Sequence, residues 1–122
     1  MTIKKGVNIA SLHPALWYAL GKADTIRGWI DGNPVTITSA NDGEHKPGSL
    51  HYLNRAVDLR THDLTPKETW QFFIALRERL VPEGFDVVLE PYPQQDTPRD
   101  RNEHLHIEYD PKATRALLGM RT

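Results

Sequence analysis

The sequence contains no cysteine, and this absence limits the kinds of site that the chain can form. Without thiols, no disulfide pattern indicates an oxidising compartment. Any metal site must use nitrogen and oxygen ligands, which histidine and carboxylate side chains supply. The six histidines of the chain are therefore the first candidates for functional residues.

An excess of one charge is also lacking, because 15 Lys and Arg stand against 16 Asp and Glu. This balance offers no electrostatic footprint for nucleic acid, so we expect no nucleic-acid partner. Apolar runs such as residues 72–76 are far shorter than the roughly 20 residues that cross a bilayer, so we expect no membrane insertion. Polar residues soon follow Lys4 and Lys5, so we predict no signal peptide and synthesis in the cytoplasm.

Two segments carry helical signals. Residues 11–28 place apolar side chains at helical spacing, with a proline suited to the first turn. The second helix is predicted to begin at a capping box formed by Thr65 and Glu68 and to run to about Leu80. Its predicted buried stripe consists of Trp70, Phe73, Ile74 and Leu80, with Phe72 and Leu76 beside it.

Four further segments alternate apolar and polar residues, which is typical of half-buried strands. These segments are residues 35–39, 56–61, 85–90 and 104–109. We predict an α+β fold: a mainly antiparallel sheet of about four strands, with helices on one face and a zinc cleft on the other. A short last helix is expected from residue 111 to about residue 119.

The alternation collects ligand-capable side chains on the face of the sheet turned away from the core. That face carries Asp58, His104, His106 and Glu108, and Glu90 of the third strand lies on the same side. Polar groups that converge in this way are easier to explain as a cleft than as part of a core. His13 and His62, at a helix start and in a turn, are expected to be structural.

A zinc ion with three protein ligands and one open position is the site that these residues favour. Three ligands, His51, Asp58 and His106, would leave the fourth position free. The loop between His51 and Asp58 can fold the His51 imidazole back over the carboxylate, which would bring these two ligands together. Each motif alone is weak, because exposed strand faces tolerate histidine. Their co-occurrence on strand faces of the right parity favours the metal.

The same motifs resemble a known superfamily. Ser-x-His-x(6)-Asp, with Ala56 two residues before the aspartate and a later His-x-His, is similar to the zinc D-Ala-D-Ala carboxypeptidases. That superfamily is similar to the vancomycin-resistance D-Ala-D-Ala dipeptidases and to the phage L-alanyl-D-glutamate endopeptidases. The hedgehog signalling domain is a further relative. The resemblance covers about Val35 to Tyr109 and implies one zinc peptidase-like domain, residues 1–122, that binds one Zn²⁺.

The resemblance also implies roles for individual residues. The zinc ligands would be His51, Asp58 and His106. Glu103 falls where the dipeptidases keep their catalytic base, and His104 falls where some relatives keep a histidine that steadies the oxyanion or the water. Ser49 matches the serine of the motif and would contact the substrate or support the ligands.

Two questions about these roles remain open in the sequence. On a regular strand Glu103 would face away from His106, so it can act only if the strand has not yet begun there; Glu90 and Glu108 are the alternative bases. Many relatives also carry a substrate-binding arginine after Ser39, where this chain has Ala40-Asn41-Asp42. The basic residues that are candidates to replace it are Arg27, Lys46, Arg99 and Arg101.

The expected activity is zinc-dependent hydrolysis of a peptide bond in bacterial cell-wall stem peptides, of the D-Ala-D-Ala carboxypeptidase or L-Ala-D-Glu endopeptidase type. Zinc would polarise the scissile carbonyl and activate water, while Glu103 moves the proton and His104 helps to hold the oxyanion. The enzyme would act on the cell wall after release or as part of a phage particle. The alternative is a zinc-bearing binding or structural module without catalysis, such as a phage structural component.

Overall fold

The computed structural model describes residues 1–40, 55–91 and 99–111. These residues form two α-helices and a five-stranded mixed sheet, which confirms the predicted α+β class. In chain order the elements are β1 (Thr2–Ile3), α1 (Pro14–Asp31), β2 (Thr36–Ser39), β3 (Ala56–Arg60), α2 (Pro66–Leu80), a 3₁₀ turn (Val81–Glu83), β4 (Phe85–Glu90) and β5 (His104–Tyr109). The short helix expected after residue 111 lies outside the described residues.

The sheet has the strand order β1-β2-β3-β5-β4. The β1 strand runs parallel to β2, whereas every other neighbouring pair is antiparallel. The predicted antiparallel pairing is confirmed for the three pairs formed among β2, β3, β5 and β4. A fifth strand, β1, adds a parallel pair that the prediction lacked and makes the sheet mixed. With only two residues, β1 is too short to show an alternating pattern in the sequence.

The α1 helix lies further along the chain than the apolar spacing predicted. Ser11 has a φ of 64°, outside the helical region, and the His13 side chain accepts a hydrogen bond from the backbone N–H of Ala15 at 3.1 Å. At the other end, Gly32 adopts a φ of 77° and donates its N–H to the carbonyl of Gly28. The helix therefore starts at Pro14 and continues past Gly28, because Gly32 provides the left-handed C-terminal residue.

The α2 helix confirms the predicted capping box. Glu68 donates its backbone N–H to the Thr65 hydroxyl at 3.1 Å, and its carboxylate accepts from the backbone N–H of Thr65 at 2.9 Å. The predicted stripe is partly wrong, because Trp70 and Ile74 are 37% and 42% exposed. The side chains that α2 buries are Thr69, Phe72, Phe73, Leu76 and Leu80. Apolar residues cover more of this helix than one face, so spacing alone did not select the buried side.

The core lies between the two helices and one face of the sheet. Alternate residues of β3, β4 and β5 are buried in one cluster with apolar side chains of both helices: Val57, Leu59, Val87, Leu89, Leu105 and Ile107. The residues between them point to the opposite face, because successive side chains of a strand alternate. Neither helix in the described part of the chain is long and apolar enough to cross a membrane.

Candidate functional site

The pairing of β3 with β5 places Asp58 directly opposite His106 in the register. Both residues belong to the sheet face opposite the core, which we call the open face. Thr38, on the neighbouring β2 strand, donates its hydroxyl to the Asp58 backbone carbonyl at 3.4 Å. Asp58 and His106 thus lie on adjacent strands of a hydrogen-bonded sheet, and this pairing fixes the separation of their backbones.

The His106 imidazole lies between two carboxylates. Its Nδ1 is 2.8 Å from Asp58 Oδ1, and its Nε2 is 2.6 Å from Glu108 Oε1. Burial opposes a charge on this ring, but hydrogen bonds to Asp58 and Glu108 outweigh burial and raise the pKa of His106 to about 10. The cluster thus holds a cation between two anions.

His104 lies two residues before His106 on β5, on the same face of the sheet. Its Nδ1 lies 2.6 Å from the backbone carbonyl of Asn102, and its Nε2 lies 3.8 Å from Asp58 Oδ1. A carbonyl only accepts hydrogen bonds, so Nδ1 must carry a proton. Nε2 is therefore the ring nitrogen of His104 that is available toward Asp58.

Glu103 lies just before β5, so the parity of the strand does not turn it away from the site. Its Oε1 accepts hydrogen bonds from Arg99 Nε at 3.0 Å, Arg99 Nη2 at 2.7 Å and the Thr61 hydroxyl at 2.7 Å. Burial acts to raise the pKa of Glu103, but Arg99 and Thr61 outweigh it, so that this pKa lies below its usual value. The carboxylate is therefore held in its ionised form.

A cleft of about 390 Å³ opens beside these residues. The described residues that line it are Lys4, Thr38, Asp58, Arg60, His62, Arg101, Asn102, Glu103 and His104. Three of these side chains are cationic, and no ion pair joins Lys4, Arg60 or Arg101 to another residue in the described ranges. We call these three residues the basic rim.

Sequence reasoning missed part of this lining. Arg60 could have been found, because it shares the strand parity of Asp58. Lys4 follows a strand too short to detect, and His62, expected to be structural, lies in the turn that borders the cleft. The positions of Lys4 and His62 at the cleft depend on strand order, which residue spacing does not reveal.

The candidate substrate arginines have different surroundings. Arg27 is completely buried and pairs with Asp31 and Asp63, so a substrate cannot reach it. Arg99 is occupied by Glu103 and by the backbone carbonyls of residues 61 and 64. Of the arginines predicted, Arg101 is the one that lines the cleft.

Two of the three predicted zinc ligands, Asp58 and His106, come together, whereas His51 and Ser49 lie outside the described residues. Within the described ranges no group of three or more metal-ligating side chains is found. The donor chemistry of the pair nevertheless fits zinc, which binds histidine nitrogen and carboxylate oxygen. Two carboxylates around one imidazole also provide the negative charge that a divalent cation balances.

A larger groove, of about 460 Å³, lies between α1 and α2 and is lined mostly by apolar atoms. It includes Trp29, which is the most exposed of the large hydrophobic side chains that the structure describes. None of the predicted site residues that the structure describes borders this groove, so size alone does not identify the chemical site.

Comparisons with known proteins add no further assignment. A scan against protein-family models finds no match, and no solved structure matches the chain.

Proposed function

We propose that this protein is a zinc-dependent peptidase that hydrolyses bacterial cell-wall stem peptides, of the D-Ala-D-Ala carboxypeptidase or L-Ala-D-Glu endopeptidase type. The observation that carries the proposal is the 2.8 Å approach of Asp58 Oδ1 to His106 Nδ1 on the open face, beside a cleft. These are the aspartate and the last histidine of the motif pair that resembles the zinc D-Ala-D-Ala carboxypeptidases. The proposed enzyme acts on the cell wall after release or within a phage particle.

Asp58 and His106 are two of the proposed zinc ligands, and His51 is the third. His106 binds through Nδ1, which must be unprotonated to act as a ligand. When bound, the zinc ion supplies Lewis-acid polarisation of the scissile carbonyl and lowers the pKa of water. The chain's own residues then have to position the peptide and move the proton.

Glu103 is the proposed proton acceptor. It borders the cleft, and its low pKa keeps it in the ionised form that a general base requires. Arg99 and Thr61 anchor Oε1, which fixes the carboxylate in one orientation. Glu108 is a weaker candidate, because among the described residues that line the cleft Glu103 is present and Glu108 is not.

His104 has a role that follows from its hydrogen bonds. Because Nδ1 donates to the Asn102 carbonyl, the neutral ring presents an unprotonated Nε2 toward Asp58. In this form the ring accepts a hydrogen bond from water, whereas holding an oxyanion requires the imidazolium. We therefore assign His104 to orienting the attacking water, and to the oxyanion only when the ring is protonated.

The basic rim supports an anionic substrate. Stem peptides carry carboxylates, and guanidinium groups bind carboxylates with two parallel hydrogen bonds. Arg60 and Arg101 border the cleft, while Arg27 and Arg99 are engaged elsewhere. Arg101, assisted by Arg60, is our proposed replacement for the substrate arginine of the relatives.

Mass spectrometry of purified peptidoglycan fragments, incubated with the zinc-loaded protein, tests the activity. We expect loss of a terminal D-alanine or a cut between L-alanine and D-glutamate, and no product from a His106→Ala control. Product from both proteins would assign the cleavage to a contaminant. No product from protein that holds one zinc would reject the peptidase.

A second candidate is a zinc-bearing binding or structural module without catalysis. The observation in its favour is the Arg99–Glu103 pair, since a carboxylate bound by an arginine and a hydroxyl also serves to fasten two loops together. The two candidates differ in the peptidoglycan assay, because only the peptidase releases a fragment.

A further inference from the structure

We infer that Glu108 is a positioning residue, which holds the His106 imidazole through Nε2 so that Nδ1 faces Asp58 as a donor for a divalent metal ion. The inference rests on the metal site of the proposed function, and it does not depend on peptidase activity. The sequence motifs do not predict this role for Glu108, and they offer it only as an alternative catalytic base.

Both ring nitrogens of His106 face carboxylates, and the contact with Glu108 determines which nitrogen keeps its proton when a metal binds. Glu108 Oε1 lies 2.6 Å from Nε2, and an ionised carboxylate only accepts hydrogen bonds, so Nε2 carries a proton. A ring nitrogen must be unprotonated to bind a metal, which leaves Nδ1. That nitrogen lies 2.8 Å from Asp58 Oδ1, on the side where the second proposed ligand is found.

The backbone places Glu108 where this contact requires it. Residues two apart on a strand share one face, so Glu108 and His106 both belong to the open face of β5. The β5 strand is internal to the sheet, and Glu108 is in register with Ala56 of β3 and Asp86 of β4. Just beyond it, Tyr109 donates its N–H to the Arg55 carbonyl at 2.8 Å and accepts from Arg55 Nε at 3.1 Å.

Metal-binding histidines usually donate their second N–H to a carboxylate or carbonyl, and loss of that partner weakens metal binding by about 10–100-fold. The Glu108 contact has this form. A general base would instead need its carboxylate directed at the reacting water. The two roles of Glu108 therefore predict different effects on metal affinity: a positioning residue changes it, and a base leaves it unchanged.

Zinc affinity of the full chain tests the inference by competition with a fluorescent zinc chelator. We expect Glu108→Ala to weaken zinc binding by about 10–100-fold. Glu108→Gln should remain within a few-fold of the original protein, because its amide oxygen still accepts the Nε2–H. Glu78→Ala, which removes an exposed carboxylate from α2, is the matched control and should change nothing.

A measurement on the unmodified protein covers the case in which Glu108→Ala fails to fold. Long-range ¹H–¹⁵N correlation spectra of the zinc-loaded protein should show a proton on Nε2 of His106 and the metal-bound shift on Nδ1. The opposite assignment would overturn the inference.

The outcomes separate this inference from the proposed function. Equal zinc affinity in Glu108→Ala and the original protein would reject the inference and leave the peptidase standing. Weakened zinc binding, with no cleavage of stem peptides by the original protein, would support the inference and reject the peptidase. No zinc binding by the original protein would reject both.

Discussion

Two clusters in this protein each place a nitrogen cation between two carboxylates. On the helix side, Arg27 donates from Nε and Nη2 to Asp31 at 2.9 Å and pairs with Asp63 at 3.1 Å. On the open face of the sheet, His106 is held between Asp58 and Glu108. The central side chain is 0% exposed in the first cluster and 12% exposed in the second.

The difference between the clusters is the chemistry of the central group. A guanidinium keeps its proton at every pH that a protein experiences and has no lone pair for a metal. An imidazole loses a proton and then offers a nitrogen donor. The Arg27 cluster can therefore only fasten α1 to the turn that holds Asp63, whereas the His106 cluster can exchange its proton for a metal ion.

Glu103, a carboxylate outside both clusters, tests whether an arginine partner makes a carboxylate merely structural. We expect Glu103→Gln to lower stem-peptide hydrolysis by about 10²–10⁴-fold, because the amide cannot accept the proton. Its oxygen still accepts from Arg99, so zinc affinity should be kept, although loss of the charge that Arg99 stabilises should lower thermal stability. Steady-state assays measure the hydrolysis and chelator titration measures the zinc affinity. Glu78→Gln, which changes an exposed carboxylate of α2, is the control. Unchanged hydrolysis would place Glu103 with Asp31 as a structural partner.

The Arg27 cluster should control stability. Asp31→Ala leaves a buried guanidinium with one remaining partner, and breaking a buried pair costs about 3–5 kcal/mol of unfolding free energy. Asp63→Ala should cost much less, because Asp63 is 42% exposed and Asp31 only 12%. Urea denaturation compares the two variants. Equal losses would mean that Arg27 depends on both partners alike.

Zinc should stabilise the protein through the His106 cluster alone. At free zinc of 100 times Kd, binding to the folded state adds about 2.7 kcal/mol, which thermal denaturation detects as a higher Tm. His106→Ala should lose this shift, while Asp63→Ala should retain it. A zinc-dependent shift that survives in His106→Ala would locate the metal elsewhere.

The smallest expected effect is the response of the Arg27 cluster to acid. Hydrogen bonds from Arg27 outweigh burial and lower the pKa of Asp31 from 3.8 to about 2. A lowered folded-state pKa stabilises the protein above pH 4, and this contribution disappears as the pH falls through 2. Allowing for screening by solvent, we expect a loss of about 1 kcal/mol over this range. Denaturation at each pH should show this part of the decline missing in Asp31→Asn.

Local patterns predicted much of the fold. The bounds of β4 and β5 agree with the alternating segments 85–90 and 104–109, and the Thr65–Glu68 capping box forms as expected. These features depend on neighbours in the chain, where the period of a strand or the reach of one side chain decides the outcome. The α1 bounds were wrong because Ser11 and Gly32, whose backbone conformations the apolar spacing does not show, set the helix ends. The predicted burial of Trp70 was wrong because it depends on which side of α2 packs on the sheet.

For the candidate site, the sequence by itself determined which side chains share the open face, since strand parity follows from the order of residues alone. Asp58, His104, His106 and Glu108 could be assigned to that face without coordinates. Only the tertiary structure decided that Asp58 meets Nδ1 of His106 and Glu108 meets Nε2, that Arg27 is buried, and that Arg101 borders the cleft. Strand order and register set those distances, and both arise from packing between segments far apart in the chain.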